Sequence, residues 1–168
     1  MLRFLLALSL VACAGSTPPP NVGAAAPKLQ GETQDGQAFD LAAQKGKWTV
    51  LYFYPKDGTP GCTKQACAFR DATKQLTDLG VTIYGISRDS KESHQKFIAE
   101  HKLPFALIAD PSGKITNDWG VSGVFGMSKR WTFVIDPNLV VREVKKDVDP
   151  AVDAAQVAQS VQSLQKTP

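Results

Sequence analysis

Cysteine is scarce in this sequence: Cys13, Cys62 and Cys67 are the only three in 168 residues. Three are too few to staple a disulfide scaffold, and the odd number asks for an account. No Cys-x-x-Cys pair occurs, although thiol–disulfide exchangers usually carry one. Neither His94 nor His101 lies near a cysteine in sequence, so the ligand spacing of a zinc site is missing. Charge of one sign is also in short supply. With 19 basic and 16 acidic residues the net charge is +3, too little to argue for nucleic acid, and no basic run is interleaved with aromatics. There is no internal repeat, and no apolar run of the ~20 residues needed to span a bilayer. What is present, 43% hydrophobic and 21% charged residues, is the balance of one globular domain with an ordinary core.

Residues 1–12 (MLRFLLALSLVA) carry one charge, Arg3, followed by an apolar stretch and small residues. That layout reads as a secretory signal. Leu10-Val11-Ala12-Cys13 resembles the bacterial lipobox. The resemblance implies cleavage before Cys13, a lipid on its sulfur, and export to the periplasmic or cell-surface side of a bacterial membrane. It also accounts for the odd cysteine. The competing reading is a chance cysteine in an ordinary signal or a core strand. Residues 13–27, rich in Pro, Ala, Gly and Ser, read as a tether. Residues 28–166 are left as the folded domain.

Within that domain, Asp35-Gly36 marks a hairpin. Residues 49–54 (TVLYFY) have the β-branched and aromatic content of a buried central strand, ended by Pro55. Turn chemistry fills 56–61 (KDGTPG). Ala66, Phe69, Thr73, Leu76 and Leu79 then recur at helical spacing, with Gly80 where the helix should stop. Further strands are expected at 81–87, 105–109, 131–135 and 139–144. Helices are expected at 90–101, capped by Ser90, at 112–119 and at 150–164. Strands alternating with helices imply parallel pairing, and the last hairpin adds antiparallel strands. The pattern is that of an α/β, thioredoxin-like fold, a mixed central sheet with flanking helices.

The informative stretch is 54–71, YPKDGTPGCTKQACAFRD. It takes the chain from a strand through a turn to Cys62 at the start of a helix. Unpaired N–H groups and the positive end of the helix dipole favour an anion there, hence the nucleophilic thiolate. Gly61 lets a ligand approach the backbone closely. Thr59 places a hydroxyl near the sulfur, able to donate to or accept from a hydroperoxide.

Pro55-x-x-x-Thr59-x-x-Cys62 resembles the peroxiredoxin active-site signature. The wider run resembles the Q-type subgroup, the bacterioferritin comigratory proteins, as do Pro104-Phe105 with Asp110, Trp119-Gly120-Val121 and Arg130 to Asp136. The resemblance covers about residues 25–165. It implies a thioredoxin-dependent-type peroxidase of the atypical 2-Cys kind, acting on hydrogen peroxide and organic hydroperoxides. Cys62 would attack the peroxide and become a sulfenic acid. Cys67 would resolve it as an intramolecular disulfide. Thr59 would hydrogen-bond thiolate and peroxide, Pro55 would wall the pocket, and Arg130 would supply a cation. On an intact helix a five-residue step separates Cα atoms by roughly 8–9 Å, beyond the ~7 Å a disulfide tolerates. The first turns must therefore unwind during turnover. The 121–130 loop is shorter than in many members and is expected to border the peroxide entrance.

The residues call for no metal, haem or flavin. The expected partners are a hydroperoxide, a thioredoxin-like dithiol reductant and, through the anchor, a membrane, with the protein a monomer. The alternative is an exported thiol–disulfide oxidoreductase acting on protein substrates; a tethered binding domain with a vestigial site is a third reading. Taken singly, Cys62 could be a buried structural thiol, Cys67 a core residue and Arg130 a surface charge. Arg70 and Asp71 read as a surface pair or as support for the site. His94 and His101 sit on a predicted helix with solvent-facing neighbours, and neither reads as catalytic.

Overall fold

In the computed structural model, which describes residues 17–166, the apolar run near residue 50 becomes the middle of the sheet. The elements are β1 (Gln30–Thr33), β2 (Ala38–Asp40), β3 (Trp48–Phe53), α1 (Pro60–Asp78), β4 (Val81–Ser87) and α2 (Lys91–His101). They continue with β5 (Ala106–Ala109), α3 (Lys114–Asp118), β6 (Trp131–Ile135), β7 (Val141–Lys145) and α4 (Asp153–Leu164). The described strands form one sheet in the order β2-β1-β5-β4-β3-β6-β7. β3, β4 and β5 run parallel, linked by α1 and α2, while β1, β2, β6 and β7 pair antiparallel with their neighbours. This is the α/β arrangement expected from the alternation of elements.

β3 is buried along nearly its whole length because both faces of the sheet are covered. Its side chains alternate between two cores, as the pleat requires. Val50 and Tyr52 point to one core, shared with Ala66, Phe69 and Leu76 of α1, Phe97 of α2 and Val157 and Val161 of α4. Leu51 and Phe53 point to the other, with Trp119, Phe133 and Ile115. Burying one Leu or Phe side chain contributes about 1.5–3 kcal/mol, so neither layer is dispensable. Gly85 of β4 serves the first core: a Cβ there would meet Leu107 and the Tyr52 ring at 2.6 Å.

Local signals set most element ends. Asp40 accepts from the Ala42 N–H, and Ser90 accepts from Ser93 N at 3.3 Å and caps α2. Gly80, at φ +72°, closes α1. α1 begins at Pro60, earlier than apolar periodicity alone indicates, because proline fits the first helical position without losing a bond. α4 begins later than Pro150, because the Asp149 carboxylate captures the Ala151 N–H at 2.8 Å and holds a turn there.

Part of the stretch read as a tether lies on the domain. Gly23 N donates to Val141 O at 2.8 Å, Ala26 N to Leu139 O at 2.8 Å, and Ala25 bridges Val140. The backbone of Thr17 to Pro19 packs against Gly120, where a Cβ would lie 2.4 Å from Pro19 N. The edge of β7 has free backbone groups and the segment satisfies them, a pairing that Pro- and Ala-rich composition does not reveal. The signal and Cys13 lie outside the described residues. Gly120→Ala should therefore destabilise the protein by about 1–3 kcal/mol, through overlap and through its positive φ. Urea unfolding measures the loss, and faster proteolysis near residue 19 would show that this segment is what is displaced.

Candidate functional site

The site forms where β3 hands the chain to α1. Thr59 is the N-cap of α1, Pro60 lacks an N–H, and the first helical bond of the backbone runs from Thr63 N to Thr59 O at 2.9 Å. The Thr59 side chain makes no capping bond. The N–H groups of Gly61 and Cys62 thus face the position an anion would take. Cys62 lies in this first turn, 1% exposed.

The positive charge arrives from across the sheet. β3 and β6 pair antiparallel with Phe53 opposite Trp131, so Arg130 stands beside the end of β3. Its guanidinium donates to Cys62 Sγ at 3.3 Å, although the two residues are 68 apart in sequence. The sulfur is thus in direct contact with a guanidinium. Arg130 also donates to Gln65 Oε1 at 2.7 Å. Gln65 in turn donates to Asp153 Oδ2 at 2.8 Å, which also accepts from the Thr132 hydroxyl at 2.6 Å. Burial pushes the Asp153 carboxyl up, opposed only in part by the bonds from Thr132 and Gln65. This chain of contacts fixes the guanidinium by a planar amide whose own orientation is fixed by a buried carboxylate.

The expected residues are thus brought together to different degrees. Arg130 and Cys62 are in contact. The Thr59 hydroxyl instead donates to Lys56 O at 3.0 Å, so donation to the sulfur or a peroxide requires it to turn. Pro55 follows β3 after Tyr54 and is half-buried. Cys67 is half-buried on the same unbroken helix, and both cysteines are free. Arg70 pairs with Asp71 at 2.8 Å on the surface and also caps the end of α2 through His101 O at 3.0 Å. The loop before Arg130 folds as a tight turn at Val124–Gly126, tied by Lys129 N to Val121 O at 2.8 Å, with Ser128 against Thr116 and Gly126 beside Arg88.

Gln65 and Asp153 escaped the sequence reading. Gln65 had a signal: it falls one turn after Cys62, next to the apolar face of α1, where a buried polar group needs a partner. Asp153 had none, because its neighbours come from two distant elements. His94 has solvent-facing neighbours on α2, yet it is itself fully buried, with Nδ1 2.8 Å from Asp57 Oδ2. Phe97, on the same helix, faces the core, and the intervening turn carries His94 inward with it.

Comparison with known proteins agrees with this geometry. A sequence profile of the AhpC/TSA family matches residues 22–144. The chain belongs to that family. It is 47% identical over 132 residues to peroxiredoxin Q of Sedum lineare, covering 77% of this chain and 67% of that one. Among solved structures it resembles the peroxidoxin BcpB of Mycobacterium tuberculosis, with TM-score 0.79, 30% identity, and 85% and 97% of the two chains covered. A structure of the Xanthomonas campestris bacterioferritin comigratory protein, described for alkyl peroxide reduction, matches with TM-score 0.77 and 30% identity over 81% and 91% of the chains. The protein is a thiol-dependent peroxidase of the peroxiredoxin Q type, with a thioredoxin-like fold.

Two measurements test how this peroxiredoxin holds its arginine. Gln65→Leu should slow reaction of the thiol with peroxide by about 10- to 100-fold, since the guanidinium loses its brace; stopped-flow oxidation at an unchanged rate would show that Gln65 is packing alone. Asp153 gives a pH signature. Its folded-state value is raised, so its contribution is fully present below the ordinary 3.8 and is lost as pH rises through the raised value. The stability advantage of wild type over Asp153→Asn should therefore shrink as pH rises from acid to neutral, read by urea unfolding at several pH values.

Proposed function

We propose that Cys62 is the peroxidatic cysteine, that Cys67 resolves it within the same chain, and that the protein works from a lipid anchor at Cys13. The observation that carries the first role is the Arg130 guanidinium 3.3 Å from a thiol in the first turn of a helix. The Cys62 thiolate attacks the terminal oxygen of ROOH, and the O–O bond breaks. The leaving alkoxide takes a proton and departs as ROH, while the sulfur keeps the other oxygen as a sulfenic acid. Arg130 stabilises negative charge at the sulfur before attack and at the departing oxygen during it. Thr59, turned from Lys56 O, offers the hydroxyl that orients the peroxide. Pro55 walls the approach, and the 1% exposure of Cys62 favours the narrow peroxide end of a substrate over a bulky group.

In the second step the Cys67 thiolate attacks the Cys62 sulfur, hydroxide leaves as water, and a disulfide forms. α1 runs unbroken from Pro60 to Asp78, so the sulfurs cannot meet in this conformation. The first turns must open, and that opening breaks the Arg130–Cys62, Arg130–Gln65 and Gln65–Asp153 bonds together. A thioredoxin-type dithiol then returns the two electrons by exchange. One chain carries both cysteines, so a monomer suffices. The lipobox-like Leu10 to Cys13 supports the anchored, exported reading, and from it follows a reductant on the same side of the membrane rather than a cytosolic one.

Single-turnover oxidation by hydrogen peroxide tests the two cysteine roles. Fast oxidation should vanish in Cys62→Ser alone, and Cys67→Ser should accumulate sulfenic acid. The oxidised wild type should also lose about two turns of helix by far-UV circular dichroism, whereas a Cys62–Cys67 disulfide with full helix content would sink the unwinding step. For the anchor, Cys13→Ser should move the protein from the membrane fraction to the soluble one; a wild-type protein already soluble and unlipidated removes that part of the reading.

A further inference from the structure

His94 is 0% exposed, and the peroxide chemistry does not use it. Its Nδ1 lies 2.8 Å from Asp57 Oδ2 and 3.4 Å from the Tyr54 hydroxyl. Its Nε2 is buried without a hydrogen-bond partner. An imidazole in that position costs stability in any protonation state, because one ring nitrogen is always unpaired. An apolar side chain would fill the space without that cost. What distinguishes histidine here is the bond made by Nδ1.

That bond ends on a hub. Asp57 Oδ1 accepts from the Tyr54 hydroxyl at 2.7 Å, and Oδ2 accepts from Ser93 at 2.8 Å as well as facing His94. The Asp57 backbone N–H donates to Asp89 at 2.9 Å, and Asp89 is itself held by the Ser87 hydroxyl at 2.6 Å. The ends of β3 and β4 and the first turn of α2 therefore converge on one residue. Burial pushes the Asp57 carboxyl up, but His94, with Tyr54 and Ser93, outweighs it and holds the group below its ordinary range. Asp57 lies midway along the short turn that carries Pro55 on one side and Thr59 on the other.

We infer that the His94–Asp57 pair is a latch that positions the 55–59 turn, holding the backbone of Pro55 and Thr59 in place before Cys62 for peroxide attack while the helix beyond remains free to unwind for resolution. His94 is a positioning residue acting through Asp57, and the inference rests on Cys62 being the attacking thiol. The latch fastens the turn upstream of the segment that must open, so it controls oxidation and not resolution.

The test follows the two phases of a single turnover in the full chain carrying His94→Leu, His94→Asn or Asp57→Asn. His94→Leu and Asp57→Asn should each slow oxidation of Cys62 by hydrogen peroxide about tenfold or more, while disulfide formation proceeds at least as fast as in wild type. His94→Asn retains an N–H near the Nδ1 position and should oxidise close to the wild-type rate. The His94→Leu/Asp57→Asn double variant should be no slower than the slower single one, the mark of a shared interaction. Oxidation at the wild-type rate in His94→Leu overturns the inference. So does equal loss of both phases in His94→Leu and His94→Asn, the pattern of a residue that only fills space. Where His94→Leu does not fold, the contrast between a slow Asp57→Asn and a normal His94→Asn decides the question alone. Loss of the underlying reading looks different: wild-type peroxide reactivity would then survive in Cys62→Ser.

Discussion

Arg130 has to stand beside Cys62, and the antiparallel pairing of β3 with β6 puts it there. The pairing sets Phe53 against Trp131, so the residue before β6 meets the helix that follows β3. Everything else at the site adjusts this contact. Pro60 starts the helix early enough to bring the sulfur into its first turn. Gln65 and Asp153 hold the guanidinium in one orientation, and burial of both closes that arrangement to water. A slip of one residue in the β3–β6 register would send Arg130 to the other side of the sheet. The two packed cores that forbid such a slip are in that sense part of the catalytic apparatus.

The same contacts oppose the second half of the proposed cycle. In that cycle a thiol at a helix N-terminus beside an arginine needs the helix intact, whereas a resolving cysteine five residues along needs it open. The chain meets both demands by separating them along the sequence. Upstream, the 55–59 turn is fastened by Asp57 to three elements. Downstream, the first turns of α1 are tied to β6 and α4 through Arg130, Gln65 and Asp153, in addition to the core packing of Ala66. In the proposed cycle a neutral sulfenic acid attracts Arg130 less than a thiolate does, which lowers the cost of unwinding at the step that requires it.

Much of this was legible in the residues alone, for local reasons. A strand with two buried faces is apolar throughout, a capping serine precedes its helix, and a glycine ends one; these signals located β3, α2 and the end of α1. The Pro55, Thr59 and Cys62 spacing lies within one turn and one helix start, so it too reads directly from the chain. Arg130 was legible only by resemblance, since nothing within its own neighbourhood distinguishes it from a surface charge at a strand end. The burial of His94 was not legible, because its polar neighbours face solvent and burial depends on which face of α2 the sheet covers.

The sequence by itself determined the order of the elements and the place of a thiol at a helix start, because backbone dihedrals, capping and turn preferences act over a few residues. Tertiary structure alone decided which distant groups surround that sulfur. The Cys62–Arg130–Gln65–Asp153 chain and the Asp57–His94 latch join residues brought together by sheet register and helix packing. Those are set by the burial of both cores at once, a property of the whole fold and of no single segment.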